Sequence, residues 1–152
     1  MKPKIRALLV HDRPDPWGAL RVALGELGVE TRVARTCGEA LAHLWGCEGP
    51  QVVLTAAQLS DGTWSDVVGL ARRAESPINV IVVAAQVDVR FYLEALDGGA
   101  YDFLAPPFEP SVLEYVLGGA AGDAFRRWNA SSHPARRARD RKPVMSLKES
   151  SQ

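Results

Sequence analysis

Cysteine is scarce in this 152-residue chain: Cys37 and Cys47 are the only two. No CxxC pair or Cys/His cluster occurs, so neither a zinc site nor a redox dithiol is indicated. On a helix the two thiols would lie about 15 Å apart, beyond disulfide reach, and two isolated cysteines fit a reducing compartment. No apolar run approaches the ~18 residues of a membrane span. The opening stretch MKPKIRALLVHD is too short in apolar residues for a signal peptide. A cytoplasmic protein without membrane contact is therefore expected. A Gly-rich phosphate loop after the first apolar run is also missing, which argues against a nucleotide-binding enzyme.

What is present is a core-forming chain. An apolar fraction of 47% excludes global disorder, and the length suits one domain plus a tail. Lys+Arg and Asp+Glu balance at 18 each, but unevenly along the chain. From Arg126 onward there are eight Lys/Arg against two Asp/Glu. The body is acidic and the end basic. Composition changes after Trp128 to NASSHPARRARDRKPVMSLKESSQ, which has neither helical nor strand periodicity. Residues 1–128 are expected to form the domain and 129–152 a basic, disordered tail.

The chain is organised around residues 51–62, QVVLTAAQLSDG. Its apolar run, closed by turn residues, predicts a strand buried on both faces of a parallel sheet. Arg6–Val10 and residues 79–85 predict two more buried strands. Residues 29–34 alternate like a half-exposed edge strand, and 100–104 read as a short fifth strand. Helices are expected between them. The first has Asp15 at its cap and Pro16 in its first turn. The second carries a Thr36/Glu39 capping box and an inward stripe of Ala40, Leu41, Leu44 and Trp45. Helices at 64–73 and 88–96 follow. The last, at 110–128, has Val112, Val116, Leu117, Ala120 and Phe125 inward. Trp17, Trp45 and Trp64 are expected at the edges of the core. Five alternating strands and helices make a doubly wound (βα)5 parallel sheet, flavodoxin-like, in the order 2-1-3-4-5.

In such sheets chemistry sits at the carboxyl ends of the strands. At the end of the central strand this chain offers Thr55, Ala56, Ala57 and Gln58, with no carboxylate, thiol or imidazole.

At that point the chain resembles the receiver domain of two-component response regulators, over roughly residues 4–117. LLVHDRP, QLSDG, the spacing from Asp88 to Gly99-Ala100, and DFLAPPFEP carry the resemblance by their order. The family accepts a phosphoryl group on an aspartate ending strand three. An acidic pair helps hold Mg²⁺, and a hydroxyl and a lysine bind the phosphoryl oxygens. By their flanks, these positions fall on Ala56 for the acceptor, His11 and Asp12 for the acidic pair, Ala84 for the hydroxyl and Pro106 for the lysine. Only Asp12 matches. The resemblance therefore implies a degenerate pocket: a pseudo-receiver with no catalytic residues, no metal and no cofactor, acting in signalling through protein–protein interaction.

The family signals through helix four, strand five and helix five, where an aromatic at the position of Phe103 moves with a threonine. Ala84 has no hydroxyl to pull it, so Phe103 is expected to stay in one rotamer. Phe91 and Tyr101 add aromatics to that face, a candidate docking patch for a signalling protein or a second copy. The competing reading is a conventional phosphorelay response regulator with an unusual site. The tail offers another, in which Arg126, Arg127, Arg136, Arg137, Arg139, Arg141 and Lys142 contact nucleic-acid phosphates non-specifically, or the acidic body of another copy.

Overall fold

The computed structural model describes residues 4–45 and 49–132. Strands β1 (Arg6–Val10), β2 (Glu30–Ala34), β3 (Val52–Ala56), β6 (Asn79–Val83) and β7 (Asp102–Leu104) form one parallel sheet in the order β2-β1-β3-β6-β7. This is the doubly wound order expected from the sequence. A short antiparallel ribbon, β4 (Gln58–Leu59) and β5 (Gly62–Thr63), follows β3. The helices are α1 (Trp17–Glu26), α2 (Cys37–Leu44), α3 (Trp64–Arg72), α4 (Val89–Asp97) and α5 (Pro110–Ser132).

The two-residue period of the strands divides the core between the sheet's faces. Ala7, Leu9, Val52, Leu54, Ile81 and Val83 point one way and pack with the buried faces of α1 and α5. Leu8, Val10, Val53 and Val80 point the other way, into α2 and α3. β3 lies at the centre, paired with β1 and β6, and Val52 to Leu54 are fully buried. Thr55 is the buried polar residue of this core. Its hydroxyl donates to the Ala56 carbonyl at 2.9 Å, so it carries no unmet hydrogen bond into the interior.

Several local expectations are corrected. Asp15 does not cap α1: the helix begins at Trp17 with Pro16 at the cap position and no side-chain cap. Its entry is closed by backbone instead, with the Gly18 N–H donating to the Pro14 carbonyl at 2.7 Å. Thr36 does cap α2, accepting from the Glu39 N–H at 3.0 Å, but Glu39 reaches past it to the Arg35 N–H. On α2 only Ala40 and Leu44 are buried, while Leu41 and Trp45 are exposed. On α5 the buried stripe runs through Leu113, Val116, Leu117, Ala120, Ala121 and Ala124, and Val112 and Phe125 face out. Val112 and Leu113, like Ala124 and Phe125, are adjacent apolar pairs, so helical periodicity fits two neighbouring stripes, and the buried one runs through Leu113 and Ala124. α5 also continues to Ser132, beyond residue 128, because no breaker stands before Pro134.

Candidate functional site

The carboxyl ends of β1, β3, β6 and β7 bring the sequence-predicted pocket residues to one edge of the sheet. Ala56 is the last residue of β3 and lies opposite Val83 of β6. Ala84 is the next residue after Val83, and its N–H donates to the Leu104 carbonyl at 2.9 Å, which ties the exit of β6 to β7. Pro106 follows two residues beyond Leu104. His11 leaves β1 with its N–H bonded to the Ala34 carbonyl at 2.9 Å. Ala56 is half-buried and touches the core on both faces of the sheet. Its methyl group therefore serves as packing.

His11 is partly buried. Its ring stacks on Trp17 at 4.4 Å between centroids and 6° between planes, and Nδ1 accepts the Arg13 N–H at 3.3 Å. Burial pushes the imidazole below its ordinary pKa. Arg21 and Arg35 push the same way, and Asp12 opposes them. Asp12 itself is exposed. Among the described residues no group of three His, Cys, Asp or Glu side chains could hold a metal ion. Mg²⁺ requires several hard oxygen ligands, and this edge supplies one carboxylate, one imidazole and methyl groups. The residues present do not fit it.

Asp61, the acid nearest to the end of β3 in sequence, has a different task. Its carboxylate accepts the Cys37 N–H at 2.8 Å and the Gly38 N–H at 3.1 Å, capping α2 from another loop. These two bonds hold its carboxyl below the usual range. Burial, with Asp61 and Asp66 nearby, pushes the Cys37 thiol up to about 11. Gly62 makes the close approach feasible, since a Cβ there would lie 2.9 Å from Cys37 Sγ and 2.7 Å from Asp66 Oδ2. Nothing in the spacing of residues 37 and 61 announces this contact; the Asp-Gly dipeptide signals only a turn.

On the flank, Phe91 is half-buried between Trp64 (6.1 Å, 62°) and Phe103 (5.4 Å, 86°), and Tyr92 meets Phe103 edge-on at 5.8 Å. Phe91, Ala95 and Gly98 form the stripe of α4 that faces Trp64. A Cβ on Gly98 would lie 2.5 Å from Trp64 Cη2. Trp64, which sequence reading places at the edge of the core, is thus the residue that seats α4. Tyr101 is 39% exposed, with its hydroxyl laid over Gly119 of α5. The same flank exposes Val87, Val89, Leu93, Val112 and Tyr115, the last at 83%.

Of the basic set, Arg127 bonds Asp123 Oδ2 through Nε at 3.0 Å and Asn79 Oδ1 at 2.8 Å, and Arg126 approaches Asp123 at 3.8 Å. Asn79 completes this anchor by donating to Asp123 and to the Ala120 carbonyl. Arg136, Arg137, Arg139, Arg141 and Lys142, like Cys47, lie outside the described residues. No described helix is long and apolar enough to cross a membrane.

No protein-family model matches the chain. It is 34% identical over 117 residues to the response regulator protein PilR of Pseudomonas aeruginosa, an alignment covering 76% of this chain and 26% of that protein. The chain thus spans about a quarter of the length of this curated relative. Among solved structures, a putative response regulator from Chloroflexus aurantiacus J-10-fl superposes with a TM-score of 0.69 at 24% identity, covering 79% of this chain and 99% of that one. The beryllofluoride-activated NtrC4 receiver domain dimer gives a TM-score of 0.66 at 24% identity, covering 78% and 98% respectively.

Proposed function

We propose that this chain, a response-regulator receiver domain of the kind found in two-component systems, works without phosphorylation, as a protein-interaction module that presents one fixed arrangement of its α4–β7–α5 flank. The observation that carries this reading is the methyl group of Ala56 at the tip of β3. It is supported by Ala84 and Pro106 on the neighbouring strand ends and by the donor set around His11, which does not suit Mg²⁺. Phosphoryl transfer needs an acceptor oxygen and fixed donors or cations for the spread charge, and the side chains of Ala56, Ala84 and Pro106 supply none of these. Asp61 is a poor substitute acceptor, because its carboxylate is engaged with the start of α2.

The flank supports the second half of the reading. Phe103 is held on two sides by Phe91 and Tyr92, and a residue so contacted has little room for a second rotamer. With no ligand distinguishing two states, an equilibrium between them cannot be shifted. The exposed Val89, Leu93 and Tyr115 give a partner apolar surface to bury. A second copy of the chain suits this surface, in keeping with the dimeric form of the NtrC4 receiver; another signalling protein is the alternative occupant.

The test is incubation of the intact chain with acetyl phosphate and Mg²⁺, followed by intact-mass measurement under acid. No adduct is expected. An acyl phosphate on any aspartate would overturn the reading in favour of a conventional phosphorelay regulator, the reading that similarity to PilR alone favours.

A further inference from the structure

Beside the vacated pocket lies a cleft of 570 Å³ between the exit of β1, the first turns of α1 and the entry to α2. Three guanidinium-bearing residues line it from three separate elements: Arg13 after β1, Arg21 on α1 and Arg35 after β2. Their placement follows from the fold. His11 and Arg35 are neighbours because Val10 pairs with Ala34. Arg21 stands one helical turn beyond Trp17, the residue on which His11 stacks.

These guanidiniums have no carboxylate of their own. Among the described residues the ion pairs are those of Arg126 and Arg127 with Asp123, and Arg13 and Arg35 enter hydrogen bonds with side chains only through their backbone N–H groups. Of the two acids lining the cleft, Glu39 is turned to the Arg35 backbone N–H at 3.0 Å, and Asp12 is exposed and pairs with none of them. His11 contributes a donor: its Nδ1 accepts from the Arg13 N–H, which leaves the proton of the neutral ring on Nε2.

We infer that this cleft is a binding site for a small, multiply charged anion of the phosphate class, held by Arg13, Arg21 and Arg35. Guanidinium forks match phosphate oxygens in pairs, and three arginines placed around one cleft by three elements suit a ligand with several oxygens. The cleft falls within the size range of small-ligand sites. Such a site is independent of phosphoryl transfer to the chain, since it needs no acceptor carboxylate, and so it stands or falls separately from the reading above.

The experiment is calorimetric titration of the full chain with sodium pyrophosphate in chloride buffer, with ¹⁵N-resolved NMR to locate the bound anion. Saturable one-to-one binding is expected, with amide shifts confined to residues 11–13, 21 and 35–39. Arg21→Gln should weaken it about tenfold, and Arg21→Gln with Arg35→Gln about a hundredfold, as loss of one and two charge-assisted contacts. All three arginines are exposed, so the variants should keep the parent's thermal midpoint. Absence of saturation at millimolar pyrophosphate would overturn the assignment. So would unchanged affinity in the double variant, or shifts centred on the basic residues after Arg126. Citrate binding as tightly as pyrophosphate would overturn the phosphate class.

Discussion

The carboxyl edge of the sheet and the α4–β7–α5 flank lie side by side, yet they are built on opposite terms. At the edge, the strand tips carry methyl groups and a proline where this fold can host charged chemistry, and the one imidazole is stacked on Trp17. On the flank, aromatics gather: Phe91 meets Phe103 edge-on, Tyr92 meets Phe103 edge-on, and Tyr115, Leu93 and Val89 are exposed. Three arginines line the cleft beside the edge, and Asp123 with Arg126 and Arg127 forms the α5 anchor. The difference teaches that hydrocarbon at a strand tip joins the core, as the half-buried Ala56 packs against both of its faces. A surface gains recognition capacity when apolar groups stay exposed at little cost to folding.

The comparison can be broken most forcefully at Trp64, which joins the two regions. Trp64→Ala should remove the seat of α4 and destabilise the fold by about 2–3 kcal/mol, below the full cost of a buried aromatic because Trp64 is half-buried. Urea denaturation reads this, and an unchanged midpoint would mean that α4 docks without it. Ala56→Asp attacks the edge. A carboxylate in a half-buried apolar setting should cost about 1–3 kcal/mol. The variant should still yield no acyl phosphate with acetyl phosphate, since Ala84 and Pro106 supply neither hydroxyl nor charge.

Asp61 sharpens the comparison through pH. Its folded pKa lies below the unfolded one, so its contribution to stability is present above the ordinary carboxylate value of about 4 and is lost as pH falls through the folded value. Asp61→Asn should flatten the urea midpoint against pH in that acidic window and leave it unaltered near neutrality in slope. A variant with the same acid dependence as the parent would show that the α2 cap is not electrostatic. The smallest effect on folding is expected for Leu93→Ser with Tyr115→Ser. These exposed changes should move stability by less than about 0.5 kcal/mol while reducing self-association in sedimentation. Unaltered association would remove the flank from the interface.

Much of this was legible in the chain. Runs such as Val52–Leu54 and the strand at 79–83 have no polar break, so parallel burial on two faces follows directly, and the turn residues between elements set the order. The residues expected at the strand tips were placed by their flanks in the resemblance to receiver domains, Ala56 by the segment 59–62 and Pro106 by Pro107-Phe108. Helix faces were less so. Val112 or Leu113, and Phe125 or Ala124, are one residue apart and both apolar, and only the sheet's surface selects between them.

What the sequence alone determined is the alternation of strands and helices and the hydrocarbon character of the β3 tip. These depend on local periodicity and residue type. The tertiary structure alone decided which residues meet across distance: Asp61 with the start of α2, Trp64 with Gly98, and three arginines around one cleft. Those contacts join segments far apart in the chain, so no short-range pattern encodes them; they exist only once the sheet has fixed where each loop and helix must lie.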